Sequence, residues 1–219
     1  MARLKLGVLI SGRGSNLQAV LDAIASGTLD AEVCLVISNR PAAAGLARAE
    51  AAGVPHAVVD HTSYPDRRAF DQKLATLLQS HGVEWVILAG FMRIVTEAFL
   101  EHYENRVVNI HPSLLPSFVG LDAQQQALDY GVRVTGCTVH LVDAKLDAGP
   151  ILAQAVVPVL AGDTRARLST RLLPFEHALL VKTLQWIAEE RLTIANAGAP
   201  GRVPVEIRGV QATMGVGSG

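Results

Sequence analysis

The sequence predicts a single-domain α/β fold with a mostly parallel, twisted sheet. Its first half is Rossmann-like (βαβ), and its second half adds an antiparallel extension. Short apolar runs alternate with helical patterns in the first half, which is typical of βαβ crossovers. Two long β-like runs in the second half are joined by a short connection, which favours antiparallel pairing. The length of 219 residues suits one large domain.

The first half supplies five predicted strands, each a short apolar run of the kind found in buried sheets. They cover residues 4–10, 32–37, 56–59, 84–89 and 106–110. Apolar side chains at helical spacing predict three helices, at residues 15–26, about 43–52 and 64–80. In the first helix one face carries Leu17, Val20, Leu21 and Ile24. This alternation of strands and helices is the basis for predicting a parallel sheet.

The second half begins with a Pro-rich loop and a short predicted helix at residues 123–130. The β-like runs at 134–142 and 150–159 should pair as a hairpin-like extension, because only a short connection separates them. A long amphipathic helix follows at 165–191, and Pro174 leaves open an interruption of it. Residues 192–219 are rich in Gly and Pro, and we expect an edge strand or a loose tail of the same domain.

Composition narrows the classes of function. Nineteen basic and twenty acidic residues give a net charge of −1, which argues against a nucleic-acid-binding face. The longest nearly uncharged stretch, 148–162, is too short to span a bilayer, and no secretory signal pattern opens the chain. We therefore expect a cytoplasmic protein without membrane contact. Cys34 and Cys137 cannot form a disulfide framework, and the histidines lack metal-ligand spacing, so no metal is expected.

Residues 11–16 (SGRGSN) form a glycine-rich connection between the first strand and the first helix. Glycines let the backbone approach a ligand, and a helix N-terminus offers free N–H groups to an anion. Leu17 occupies the position of the third glycine in a dinucleotide fingerprint, and no triphosphate-binding loop of the GxxxxGK(S/T) type occurs. We interpret the loop as a site for one phosphate. A tight βα turn capped by Ser15 or Asn16 is the alternative.

Asn109 and His111 fall at the carboxyl end of the fifth strand, where open α/β sheets bind ligands. Residues i and i+2 of a strand share a face, so both side chains can point into one cleft and stabilise an oxyanion there. A satisfied core histidine is the alternative. Asp147 precedes a Gly-Pro turn, where it either caps the loop or favours the imidazolium form of His111. Cys137 lies in a β run and is a packed residue rather than a nucleophile.

Four segments together resemble the folate-dependent formyltransferase family. They are LISGRGSNLQA, LAGFMRIV, VVNIHPSLLPSF and GCTVHLVDAKLDAGPILAQ, in that order. The resemblance runs from about residue 4 to 191, so it implies a formyltransferase domain over 1–191 and a C-terminal strand or tail over 192–219. It implies the transfer of a formyl group from 10-formyltetrahydrofolate to the glycyl amine of 5-phosphoribosylglycinamide in purine synthesis, and the SGxGSN loop is what points to this substrate.

The resemblance also implies roles for individual residues. Asn109, His111 and Asp147 match the family's catalytic trio, and Gly14, Ser15 and Asn16 match its phosphate loop. Glu176 matches an acidic residue that meets the glycinamide substrate. The folate contacts implied are Arg67, Met92, Arg93, Ile94, Val95, Asn109, Val142, Asp143, Ala144, Lys145 and Leu146. The sequence departs from the family pattern at 117–124 and at Leu173. In the implied mechanism the amine attacks the formyl carbon directly, without an acyl-enzyme.

Three other functions fit part of the pattern. A related transferase acting on methionyl-tRNA would normally carry a further nucleic-acid-binding domain. A formyltetrahydrofolate hydrolase would normally carry an N-terminal regulatory domain, whereas the first predicted strand begins at Leu4. A non-catalytic nucleotide-binding module would explain the glycine-rich loop but not Asn109, His111 and Asp147 together. We therefore expect small-molecule partners, no nucleic acid, and either a monomer or a homodimer.

Overall fold

The computed structural model describes residues 3–194 and 203–209, and its main feature is a seven-stranded sheet. The strands are β1 (Leu4–Ile10), β2 (Ala31–Ser38), β3 (His56–Val58), β4 (Trp85–Leu88), β5 (Val107–His111), β6 (Val134–Leu141) and β7 (Ile151–Pro158). Their order is β3-β2-β1-β4-β5-β6-β7. The first five pair in parallel, whereas β6 and β7 are antiparallel to their neighbours. The predicted fold class is confirmed.

Helices connect the strands and follow the predicted pattern with three differences. They are α1 (Ser15–Ala25), α2 (Gly45–Ala51), α3 (Arg67–Ser80), α4 (Glu97–His102), α5 (Ala123–Tyr130) and α6 (Arg165–Ala188). The start of α3 was predicted three residues too early, because the Asp66 side chain caps the helix by accepting the N–H of Ala69 at 2.8 Å. The short α4 was not predicted. Helix α6 continues through Pro174 but ends at Ala188, three residues before the predicted end.

Two apolar clusters cover opposite faces of the sheet. In β1, Val8 and Ile10 belong to one cluster and Leu9 to the other, as the two-residue period of a strand requires. The first cluster packs against α1 and α6, and the second against α3 and α4. Burial on both faces explains why the strands read as continuous apolar runs. Within the part of the chain that the structure describes, no helix is long and apolar enough to cross a membrane.

The C-terminal segment differs from the expected edge strand. Strands β8 (Leu192–Ile194) and β9 (Val205–Ile207) pair with each other as a separate antiparallel sheet. These two strands pack against the apolar cluster that contacts α1 and α6, through Leu192, Ile194 and Val205. The remainder of the predicted tail, residues 195–202 and 210–219, lies outside the described residues.

Candidate active site

The glycine-rich loop between β1 and α1 is built by close backbone packing. Gly14 is the N-cap of α1 with φ of 69°, a left-handed conformation that favours glycine. A Cβ placed on Gly14 would lie 2.7 Å from the Cα of Gly45, so no side chain fits there. The N–H of Gly45 donates to the carbonyl of Gly12 at 2.9 Å, which fastens the loop to α2. Neither of the residues offered as side-chain caps, Ser15 and Asn16, caps the helix.

The start of α1 therefore presents backbone donors. The first helical bond runs from the N–H of Gln18 to the carbonyl of Gly14 at 3.0 Å. The N–H groups of Ser15, Asn16 and Leu17 precede it and lie at the positive end of the helix dipole. This arrangement suits an anion of the size of one phosphate.

A buried carboxylate from α6 lies beside this loop. The Asn16 side-chain amide donates to Glu176 Oε2 at 3.3 Å, and both residues are 8% exposed. Burial raises the pKa of the Glu176 carboxyl, against the opposing effects of the Asn16 hydrogen bond and the Arg13 charge. The structure thus brings together two side chains far apart in sequence. The Asn16 Oδ1 atom is buried and has no partner among the described residues.

The implied catalytic trio forms one cluster on the face of β5 and β6. His111 Nδ1 lies 3.5 Å from Asp147 Oδ2, and both side chains are largely buried. Asn109 is paired across the strands with His140, and its side-chain nitrogen lies 3.1 Å from His140 Nε2. His140 Nε2 in turn lies 3.8 Å from Asp147 Oδ1. An amide donor, an imidazole and a carboxylate therefore share one site, which is what oxyanion stabilisation and proton transfer require.

The loop after β5 lies over this cluster. His111 Nε2 is 2.9 Å from the carbonyl oxygen of Phe118, and the N–H of Gly120 donates to Asp147 Oδ2 at 2.8 Å. Phe118 has φ of 54° and Asp122 φ of 57°, so the loop turns tightly at both residues. The Phe118 oxygen therefore occupies the position of an acceptor for a hydrogen bond donated by His111 Nε2.

A cavity of about 450 Å³ collects several of the implied folate contacts. Its lining includes Arg67, Ile94, Val95 and Ala144. The Arg93 guanidinium lies 5.4 Å from the centre of the Phe70 ring, a cation–π distance. Apart from Asn109 on β5, the other implied contacts lie on the segments 92–95 and 142–146. Met92 and Leu146 are at least half exposed, and the N–H of Val142 donates to the carbonyl of Val107 in β5. The N–H of Lys145 donates to the Asp143 carboxylate at 3.0 Å.

Two groups near the site were missed in the sequence. His140 contacts both Asn109 and Asp147, and only the β5–β6 register reveals it. The Ser11 hydroxyl accepts the N–H of Met92, in the segment that follows β4. The only sequence signal for Ser11 was its place in the glycine-rich motif.

Cys137 is fully buried, and burial raises the pKa of its thiol to about 12, as expected for a packed residue. Among the described residues no His, Cys, Asp and Glu group could hold a metal ion.

Comparison of the chain with known proteins finds one family. Residues 4–184 match the family described as formyl transferase. The chain is 42% identical to the phosphoribosylglycinamide formyltransferase of Escherichia coli, over 88% of this chain and 91% of that protein. It is also 45% identical to the trifunctional purine biosynthetic protein adenosine-3 of Gallus gallus, of which it spans only about a fifth (20%).

Solved structures agree with this assignment. Glycinamide ribonucleotide transformylase 1 from Symbiobacterium toebii superimposes with a TM-score of 0.89 at 50% identity, over 94% of each chain. A formyltetrahydrofolate deformylase from Pseudomonas syringae superimposes with a TM-score of 0.84 at 27% identity, over 94% of this chain and 66% of that one. The same fold therefore serves both a transferase and a deformylase.

Proposed function

The chain belongs to the formyl transferase family, and from this premise we propose that it transfers the formyl group of 10-formyltetrahydrofolate to the glycyl amine of 5-phosphoribosylglycinamide. The observation that carries the proposal is the contact of His111 with Asp147 at 3.5 Å beside Asn109, in a chain that also has a phosphate-sized loop. The proposal involves small-molecule partners only. A cytoplasmic location and a monomeric or homodimeric state stay predictions.

The two ends of the ribonucleotide would bind to different elements. The phosphate would accept hydrogen bonds from the N–H groups at the start of α1, where the helix dipole also favours negative charge. The glycyl amine would lie beside Asn109 and His111, and Glu176, whose buried carboxylate accepts from Asn16, would contact the ribonucleotide close to the phosphate loop. Binding energy at the phosphate then helps to orient the amine at the reacting end.

Chemistry would proceed by direct attack of the amine on the formyl carbon. A new C–N bond forms, and the formyl oxygen of the tetrahedral intermediate becomes an oxyanion. The Asn109 amide and the protonated ring of His111 would donate hydrogen bonds to that oxygen, in the position that the Phe118 carbonyl occupies near His111 Nε2. The bond to the folate nitrogen then breaks, and the proton lost by the amine ends on that nitrogen.

Asp147 would act through His111 and through a water molecule. Its carboxylate lies 3.5 Å from Nδ1, so it would hold the ring with the opposite nitrogen, Nε2, turned to the formyl oxygen. No residue of the cluster needs to form a covalent intermediate, since holding two reactants in line already lowers the barrier. The cavity beside Arg67 and Ala144 would hold the folate, with Asp147 directly after the loop that lines it.

The test is release of tetrahydrofolate, followed spectroscopically with and without glycinamide ribonucleotide. We expect release only when the ribonucleotide is present, and loss of most of that rate in His111→Ala. Equal release without the ribonucleotide would instead favour hydrolysis of the folate. Hydrolysis is the second candidate because a deformylase shares the fold at 27% identity.

A further inference from the structure

The segment that joins β4 to α4 is fastened at both of its ends by side chains from other elements. We refer to residues 92–96 as the wall segment. The N–H of Met92 donates to Ser11 Oγ at 2.8 Å, and the N–H of Thr96 donates to Asp71 Oδ2 at 2.6 Å. Ser11 follows β1, and Asp71 belongs to α3. Two elements that are not adjacent to the segment in sequence thus determine where it lies.

The bond at the first end is oriented and buried. Ser11 is 3% exposed, and its hydroxyl donates to Asn39 Oδ1 at 2.6 Å. Because the proton of the hydroxyl is used in that bond, the oxygen is left to accept the N–H of Met92. Ser11 is also the first residue of the loop that leads to Gly14. The wall segment is therefore tied directly to the phosphate loop.

The bond at the second end is short and comes from a buried carboxylate. Asp71 is 2% exposed, and burial raises the pKa of its carboxyl despite the Thr96 N–H and the charges of Arg93 and Arg67. A carboxylate that is withdrawn from water in this way needs its hydrogen-bond partner. Its neighbour Phe70 carries the Arg93 guanidinium over its ring, so α3 contacts the wall segment twice.

The middle of the wall segment makes no comparable bonds. Within the part of the chain that the structure describes, no N–H of Arg93, Ile94 or Val95 donates to a protein group. The Val95 side chain is buried in the core, but packing of a side chain does not set the direction of backbone amides. The two end bonds are what fixes the backbone of these residues beside the cavity that Ile94 and Val95 line.

We propose that Ser11 and Asp71 are positioning residues that hold the wall segment in place for the folate co-substrate, and that Ser11 thereby links the folate side of the site to the phosphate loop. The inference rests on the proposed function for the identity of the ligand. Neither side chain touches the reacting atoms. Their effect is to preorganise the backbone that does the binding.

Kinetics of single variants test the proposal. Ser11→Ala and Asp71→Ala each leave one backbone N–H without its acceptor, and we expect the KM for 10-formyltetrahydrofolate to rise about tenfold. The KM for glycinamide ribonucleotide should change less than about twofold in Asp71→Ala, because that end is remote from the phosphate loop. Asp71→Asn keeps an acceptor oxygen and should stay within about threefold of the parent. Rescue by the amide would separate the hydrogen bond from the charge.

A matched control comes from the opposite face of the sheet. Gln185 Oε1 accepts the backbone N–H of Asp30 at 2.9 Å, so Gln185→Ala also removes a long-range tie to a main-chain donor. This variant should leave the folate KM unchanged. The double variant Ser11→Ala/Asp71→Ala should show a smaller effect than the product of the single effects, since both residues hold the same segment.

A ligand-free measurement separates this inference from the proposed function. Hydrogen exchange of the peptide covering residues 90–97 should become about tenfold faster in Ser11→Ala and unchanged in Gln185→Ala. If the parent protein shows no ribonucleotide-dependent release of tetrahydrofolate, the proposed function is wrong. The exchange result still decides whether Ser11 holds the wall segment in place. Unchanged exchange and unchanged folate KM in a folded Ser11→Ala would overturn the inference, and Ser11→Ala decides alone if Asp71→Ala does not fold.

Discussion

Replacing Gly14 by alanine should disturb both the stability of the protein and its phosphate site. The left-handed conformation at φ of 69° costs an L-residue about 1–2 kcal/mol. The new Cβ would also lie 2.7 Å from the Cα of Gly45, and forcing a methyl into such a contact costs about 1–3 kcal/mol more. We therefore expect Gly14→Ala to lower the free energy of unfolding by about 2–5 kcal/mol.

The other end of α1 offers a matched control. Gly27 has φ of 75°, but a Cβ there would meet no atom within 4 Å. Gly27→Ala should thus cost only the conformational part, about 1–2 kcal/mol. The difference between the two variants isolates the contact with Gly45. Denaturant unfolding measures both, and equal stabilities of the two variants would refute the argument from close packing.

Ligand binding by the same pair tests the phosphate site. A shift of the loop displaces the N–H groups of Ser15 and Asn16, so Gly14→Ala should weaken ribonucleotide binding at least tenfold at a temperature where it is folded. Tetrahydrofolate binding should change little in that variant, and neither ligand should respond to Gly27→Ala. Calorimetry that finds equal losses for both ligands in Gly14→Ala would mean that the glycine serves the fold and not the phosphate.

The remaining predictions concern the buried polar groups. His111→Ala should lower kcat by about two to three orders of magnitude, the usual scale for one lost oxyanion donor. Asp147→Asn should also lower kcat, because the carboxylate 3.5 Å from the His111 ring is lost, and a double variant much worse than His111→Ala would contradict a joint role. For Glu176→Gln, the raised pKa means that the folded state holds this proton more tightly than the unfolded state, so the stability it contributes falls as pH rises. The variant should flatten that pH dependence in thermal unfolding scans and raise the KM for the ribonucleotide about tenfold. Cys137→Ala should keep most of its activity while folded, and complete loss of turnover at normal stability would revive covalent catalysis.

Much of the fold could be predicted because its signals are local. The central parallel strands β1, β4 and β5 are mostly buried on both faces and therefore read as apolar runs, and β1 matches its predicted bounds at both ends. The predicted start of α3 was wrong because the Asp66 cap, rather than the periodicity of the apolar residues, decides where the helix begins. The six residues of α4 are too few to show a helical period, and only Phe99 among them is buried.

The contacts that assemble the site depend on register, which the sequence does not display. Strand alternation placed Asn109 and His111 on one face, but nothing in the sequence pairs Asn109 with His140. That pairing follows from the antiparallel alignment of β5 with β6, which sets Asn109 opposite His140 and His111 opposite Thr138. A slip of one residue would turn His140 to the other face of the sheet. The bond between Ser11 and Met92 likewise depends on the parallel register of β1 with β4.

The position of Asp147 depends on the conformation of the 142–149 connection, which the sequence alone does not show. Because β6 runs antiparallel to β5, the 142–149 connection must fold back against β6 to bring Asp147 beside His111. A Cβ on Gly149 would lie 2.0 Å from the carbonyl oxygen of Leu141, so the connection can close this tightly only with glycine there. Asp147 itself has φ of 49°, a conformation that an aspartate tolerates better than most residues. Gly149→Ala should therefore displace this connection and lengthen the 3.5 Å distance between Asp147 Oδ2 and His111 Nδ1, which a crystal structure of the variant would measure.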